Sequence, residues 1–99
     1  MEQFPIAHLN LPGPQGMVNV IIVFLDKTFD QKTPQEQQQI QTALQLCANS
    51  ADLAGNVVPV WTDYSGRMKF RAPQNQHAFF SSVSYDQLYS QVNKTLTCG

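Results

Sequence analysis

The nine residues Met17-Val18-Asn19-Val20-Ile21-Ile22-Val23-Phe24-Leu25 decide what this chain can be. On an extended backbone Val18, Val20, Ile22 and Phe24 fall on one side, and Ile21, Val23 and Leu25 on the other. A strand that is apolar on both faces has to be covered on both, so the run reads as the central strand of a sheet. It is far too short to cross a bilayer, which makes a membrane partner unexpected.

Downstream, Asp26 to Lys32 reads as a polar loop, and a helix then announces itself. Thr33 is a natural N-cap, Pro34 suits the first helical position, and Glu36 completes a capping box. Ile40, Ala43, Leu44, Cys47 and Ala51 follow at helical spacing and predict one buried stripe, with Gly55 as the residue that ends the segment. Val57-Val58-Pro59-Val60-Trp61 predicts a second strand over 56–62. Its proline, which cannot donate to a ladder, suggests an edge or a bulge. Asp63-Tyr64-Ser65-Gly66 has the chemistry of a turn, and Arg67 to Ala72 alternates as the returning strand of a hairpin. Residues 77–82 are expected to add a short strand through Phe79 and Phe80. A second helix is expected from Ser84, with Gln87 completing its capping box and Tyr85, Leu88, Val92 and Leu96 on its inner face.

Upstream, Pro5, Pro12, Gly13, Pro14 and Gly16 make residues 1–16 an extended arm or loop whose Phe4, Ile6, Leu9 and Leu11 can lie on the core or on a partner. Residues 17–99 then form a single α+β domain, a β-α-β-β-(β)-α sandwich around one sheet. Two architectures fit that order, a ferredoxin-like sandwich lacking its last strand and a trimmed thioredoxin-like core. No family motif accompanies either. There is no C-x-x-C, and the segment from Gly66 to Arg71 lacks the aromatic pattern of RNA-recognition domains.

Charged residues make up 13% of the chain, about half the usual share, and glutamine supplies much of the polar surface instead. A net charge of −1 gives no global attraction to nucleic acid or anionic lipid. Cys47 and Cys98 have neither redox nor metal spacing, which leads to a cytoplasmic protein with two free thiols. Cys47 is expected buried and inert, and Cys98 exposed and reactive. The sequon Asn93-Lys94-Thr95 is read as a chance match.

The sharpest chemical feature is the hairpin. Arg67, Lys69 and Arg71 hold half of the six basic residues, and alternation predicts that all three face solvent. On that expectation their joint replacement by alanine leaves the fold intact. With Trp61 and Tyr64 nearby, and His77 in the following loop, they form the candidate binding surface. The bland alternative is a solvated face whose charges guard an edge. No catalytic constellation or metal set is legible: gathering His8, His77, Cys47 and Cys98 would need an unsignalled convergence, and the aspartates suit turns and caps. The functional expectation is a non-enzymatic protein-interaction or regulatory module without a cofactor. Nucleic-acid binding through the basic face is the alternative.

Overall fold

Val20 to Phe24 are five consecutive buried residues at the centre of a five-stranded sheet. The computed structural model describes residues 2–13 and 15–98. Met1, Pro14 and Gly99 lie outside the described residues, including the part of the expected arm that Met1 and Pro14 would form. The strands are β1 (Glu2–Gly13), β2 (Gly16–Phe24), β3 (Asn56–Thr62), β4 (Met68–Phe70) and β5 (Lys94–Cys98), in the spatial order β4-β3-β2-β1-β5. Only β2 and β3 run parallel; the other neighbours are antiparallel.

The helices occupy both faces. Helix α1 (Pro34–Ser50) covers Ile6, Ile21, Val23, Val57 and Leu96 with Leu44 and Ala48. On the opposite face, α2 (His77–Ser81) and α3 (Tyr85–Tyr89) bring Phe80 and Leu88 onto Ala7, Leu11, Val20, Ile22, Val58 and Val60. Each such side chain contributes about 1.5–3 kcal/mol on full burial, so β2 anchors two cores at once.

The α1 start is as expected: Thr33 Oγ1 accepts from Glu36 N–H at 3.1 Å, and Glu36 Oε1 accepts from Thr33 N–H at 2.9 Å. Its end is not. Asp52, not Gly55, takes the left-handed position with φ 59°. Leu53 N–H reaches Ala48 O and Asp52 N–H reaches Asn49 O, a Schellman closure. The buried stripe accordingly runs through Ile40, Leu44, Cys47 and Ala48, while Ala43 and Ala51 are exposed. Gly55 has another duty: a Cβ there would sit 2.5 Å from Asn19 O, so no side chain fits where the chain enters β3 beside β2.

Four further expectations are corrected. Most of the segment read as an arm is β1, a full strand between β2 and β5. It alternates Phe4 and Ile6 toward α1 with Ala7, Leu9 and Leu11 toward the other core. Pro12 is tolerated because its missing N–H belongs on the outer side of that strand. Residues 77–81 are helix α2, because burying Phe80 on one side requires only a single turn. Helix α3 stops at Tyr89, and Leu96 lies on β5, where Thr95-Leu96-Thr97-Cys98 alternates at the strand period against Glu2 to Ile6. Finally, Cys47 and Cys98 are not free thiols. They form a disulfide, with Cα atoms 5.7 Å apart, that ties α1 to β5.

β3 is not an edge strand, yet Pro59 fits. Pro59 O accepts from Arg71 N–H at 3.1 Å, so its nitrogen points to the β4 side, where the ladder has already ended at Phe70.

Candidate functional site

The β3–β4 hairpin is built as its sequence suggests. Asp63 Oδ1 accepts from the N–H groups of Ser65 and Arg67 and from the Ser65 hydroxyl, and Gly66 takes φ 87°. Those donors hold the Asp63 carboxyl below the ordinary carboxylate range, the Ser65 hydroxyl having the largest effect. The basic residues do not form an open platform. Lys69 Nζ lies 3.1 Å from Asp30 Oδ1, which also accepts from Trp61 Nε1–H at 3.1 Å. The indole N–H first, and Lys69 second, hold the Asp30 carboxyl low. Trp61 is buried, its ring meeting Phe29 edge-on at 4.6 Å, so it offers no stacking face. Tyr64 is exposed under the ammonium of Lys27. His77 opens α2, with Nε2–H donating to Ala72 O at 2.8 Å and its ring edge-on to Phe70.

Arg71 is half-buried and gives three donors to glutamines of α1: Nε to Gln41 Oε1 (3.1 Å), Nη1 to Gln37 Oε1 (3.3 Å) and Nη2 to Gln38 Oε1 (3.1 Å). The structure thus brings Lys69 and Arg71 onto the α1 face, engaged, and leaves only Arg67 exposed without a side-chain partner among the described residues. Replacing all three is therefore not a neutral surface change.

The same glutamines finish the sheet. Val57 faces the outer side of β3 beyond the end of β4. Its N–H donates to Gln45 Oε1 at 2.7 Å, and its carbonyl accepts from Gln41 Nε2 at 3.2 Å. A primary amide carries one donor group and one acceptor, as a peptide unit does, so two side chains stand in for a missing strand residue. A shallow groove of about 490 Å³, lined by Gln38, Gln45, Arg71 and His77 among others, runs over this plug.

Across the sheet, the outer side of β1 is only partly covered. β5 pairs with Glu2 to Ile6, and Asn93 then caps His8: Oδ1 accepts from His8 N–H at 3.0 Å and Nδ2 donates to His8 O at 3.1 Å. The sequon asparagine thus commits one amide N–H to the sheet edge while its side chain stays exposed. Because main-chain groups alternate along a strand, Asn10, two residues on, also points its N–H and C=O outward. No partner meets them among the described residues. Beside Asn10 lies a groove of about 500 Å³ whose apolar lining is Leu9, Leu11, Phe79, Val83 and Leu88, with Gln87 and Ser90 at the rim. Sequence reasoning placed Leu9 and Leu11 on an arm and missed this surface. The alternation from Ile6 to Leu11 was the signal that could have found it. A further groove of about 460 Å³ lies at the start of α1, between Phe4, Phe29, Ile40 and Leu44.

Among the described residues no three His, Cys, Asp or Glu side chains cluster as metal ligands, and no helix is long and apolar enough to cross a membrane. His8 and His77 each serve a carbonyl, of Ala54 and Ala72, in different parts of the sheet. Comparison with protein families, with curated proteins and with solved structures finds no match to this chain.

Proposed function

We propose that this domain is a protein-interaction module that takes up an extended peptide along β1. One observation carries the reading: the open main-chain pair of Asn10 stands beside a groove lined by Leu9, Leu11, Phe79, Val83 and Leu88. Main-chain hydrogen bonds would supply affinity, and alternate side chains of the peptide would enter the groove, as in recognition by strand addition. Helices on both sides of a mixed sheet favour the trimmed thioredoxin-like architecture over the ferredoxin-like one, whose helices share a face. A cytoplasmic location would suit free thiols. The Cys47–Cys98 disulfide supports an oxidising compartment instead.

The alternative, nucleic-acid binding through Arg67, Lys69 and Arg71, has less to stand on, since Lys69 serves Asp30 and Arg71 serves three glutamines. A random-peptide display library panned on the native protein tests the proposal. Recovered peptides should protect the Asn10 amide from exchange and lose binding to a Leu9→Glu variant. Peptides indifferent to Leu9→Glu would sink it. So would salt-sensitive binding of a labelled single-stranded oligonucleotide that is lost on Arg67→Ala.

A further inference from the structure

The other open edge is that of β5, and its pattern is self-complementary. Phe4 pairs with Leu96 and Ile6 with Lys94, and the outward-facing residues of β1 have even numbers, as His8 shows. Thr95 and Thr97 therefore turn their N–H and C=O groups away from β1. No donor or acceptor meets them among the described residues; the Thr97 carbonyl lies 3.2 Å from Cys47 Sγ, which as a disulfide sulfur has no hydrogen to give and leaves the oxygen able to accept. The strand's one charge is Lys94 at its start; from Thr95 to Cys98 there is no proline and no charge to blunt the edge.

We infer that two copies of this chain join through β5, antiparallel about an axis at Leu96, into one continuous ten-stranded sheet. In that register Thr95 of one copy faces Thr97 of the other, and the two pairs exchange four main-chain hydrogen bonds. Charge agrees with geometry. Lys94 falls opposite Cys98 of the second copy, and Cys98 is itself opposite Glu2, so Lys94 and that Glu2 share a face two strands apart. Adjacent strands lie about 4.8 Å apart, which leaves about 10 Å for two long side chains of opposite charge to span. Both residues are exposed, and neither has an ion-pair partner within the chain among the described residues. The helix above agrees as well. The disulfide holds α1 over this edge, where Leu46 is 63% exposed beside Ala43 and Ser50. Association brings the two Leu46 side chains toward one another and out of water.

Sedimentation velocity over a concentration series is the test. The expected species has twice the 11.1 kDa chain mass. Thr97→Pro removes an outward N–H without touching the β1–β5 ladder. It should weaken the dimer about ten- to a hundredfold, since two symmetric hydrogen bonds are lost, while circular dichroism stays unchanged. Glu2→Lys should weaken it too, and the double variant Glu2→Lys/Lys94→Glu should restore it. A monomer at every concentration overturns the inference. So does a dimer indifferent to Thr97→Pro, or a charge swap that fails to rescue.

Discussion

At the β4 edge, Gln41 and Gln45 occupy the hydrogen-bonding positions that a longer strand would fill, whereas at the β5 edge Thr95 and Thr97 present theirs outward. One helix accounts for both. Gln37, Gln41 and Gln45 recur every four residues and form a polar stripe of α1 along β3, each amide able to donate and accept. On the side toward β5 the helix carries Ala43, Leu46 and Ser50, and it reaches the strand through a covalent bond instead. The lesson is that an edge is closed by matched polar groups, while a covalent tie secures the strand and leaves its edge available.

The largest effect should come from cutting that tie. Replacing Cys47 and Cys98 by serine releases a cross-link across 51 positions, and should cost about 2–4 kcal/mol through the freed unfolded chain. Equilibrium urea unfolding measures it, and hydrogen exchange localises it. Amides of β5 should lose protection first, while those of β3 change little. Uniform loss across the sheet would show that the disulfide supports the whole fold and not one edge.

Opening the closed edge should cost less. Gln45→Ala leaves the Val57 N–H without its 2.7 Å acceptor, a penalty of about 1–3 kcal/mol for a buried orphan donor. Gln45→Glu keeps the acceptor and should recover most of that loss. If both substitutions cost the same, the glutamine acts by packing and not as a stand-in for a strand.

What could be read in advance follows the same contrast between local and distant causes. The cap at Thr33, the central strand and the Asp63–Gly66 turn depend on neighbours within a few residues, so their patterns are visible in one segment at a time. β1 is hidden in the sequence because the cost of a proline depends on which side of the strand is left open. Pro12 violates nothing where no ladder bond is made. Leu96 satisfies helical spacing from Tyr85, Leu88 and Val92 as well as strand alternation, and only the partner strand from Glu2 to Ile6 decides between them. Of the candidate site, the hairpin was legible but the fate of its charges was not. The glutamines that receive Arg71 lie about thirty positions away. The open Asn10 edge is legible only once β1 is read as a strand, for which the alternation from Ile6 to Leu11 is the one local signal.

The smallest effect concerns how the hairpin is held against the remainder of the closed edge, through Asp30. Its carboxylate receives the Trp61 indole N–H and the Lys69 ammonium, and its acidity is raised by both. A carboxyl whose folded value is depressed below the ordinary 3.8 contributes stability that is fully present above that value. The contribution is lost as pH falls through the depressed folded value, because the protonated group no longer holds Lys69 as a counter-charge. Asp30→Asn should therefore be less stable than the parent at neutral pH, and the gap should close as the solution becomes more acidic than about pH 4, the unfolded carboxylate value. Asp26, Glu36 and Asp63 are also held low, by the backbone N–H of Thr28, by that of Thr33 and by Ser65 respectively. Both proteins will for that reason weaken in acid, and only the difference between them reports on Asp30. Urea midpoints of the pair, taken stepwise from neutral pH down to pH 2, give that difference directly. A gap of constant size would mean that Asp30 holds Trp61 by hydrogen bonding alone, with the Lys69 charge contributing nothing to the closed edge.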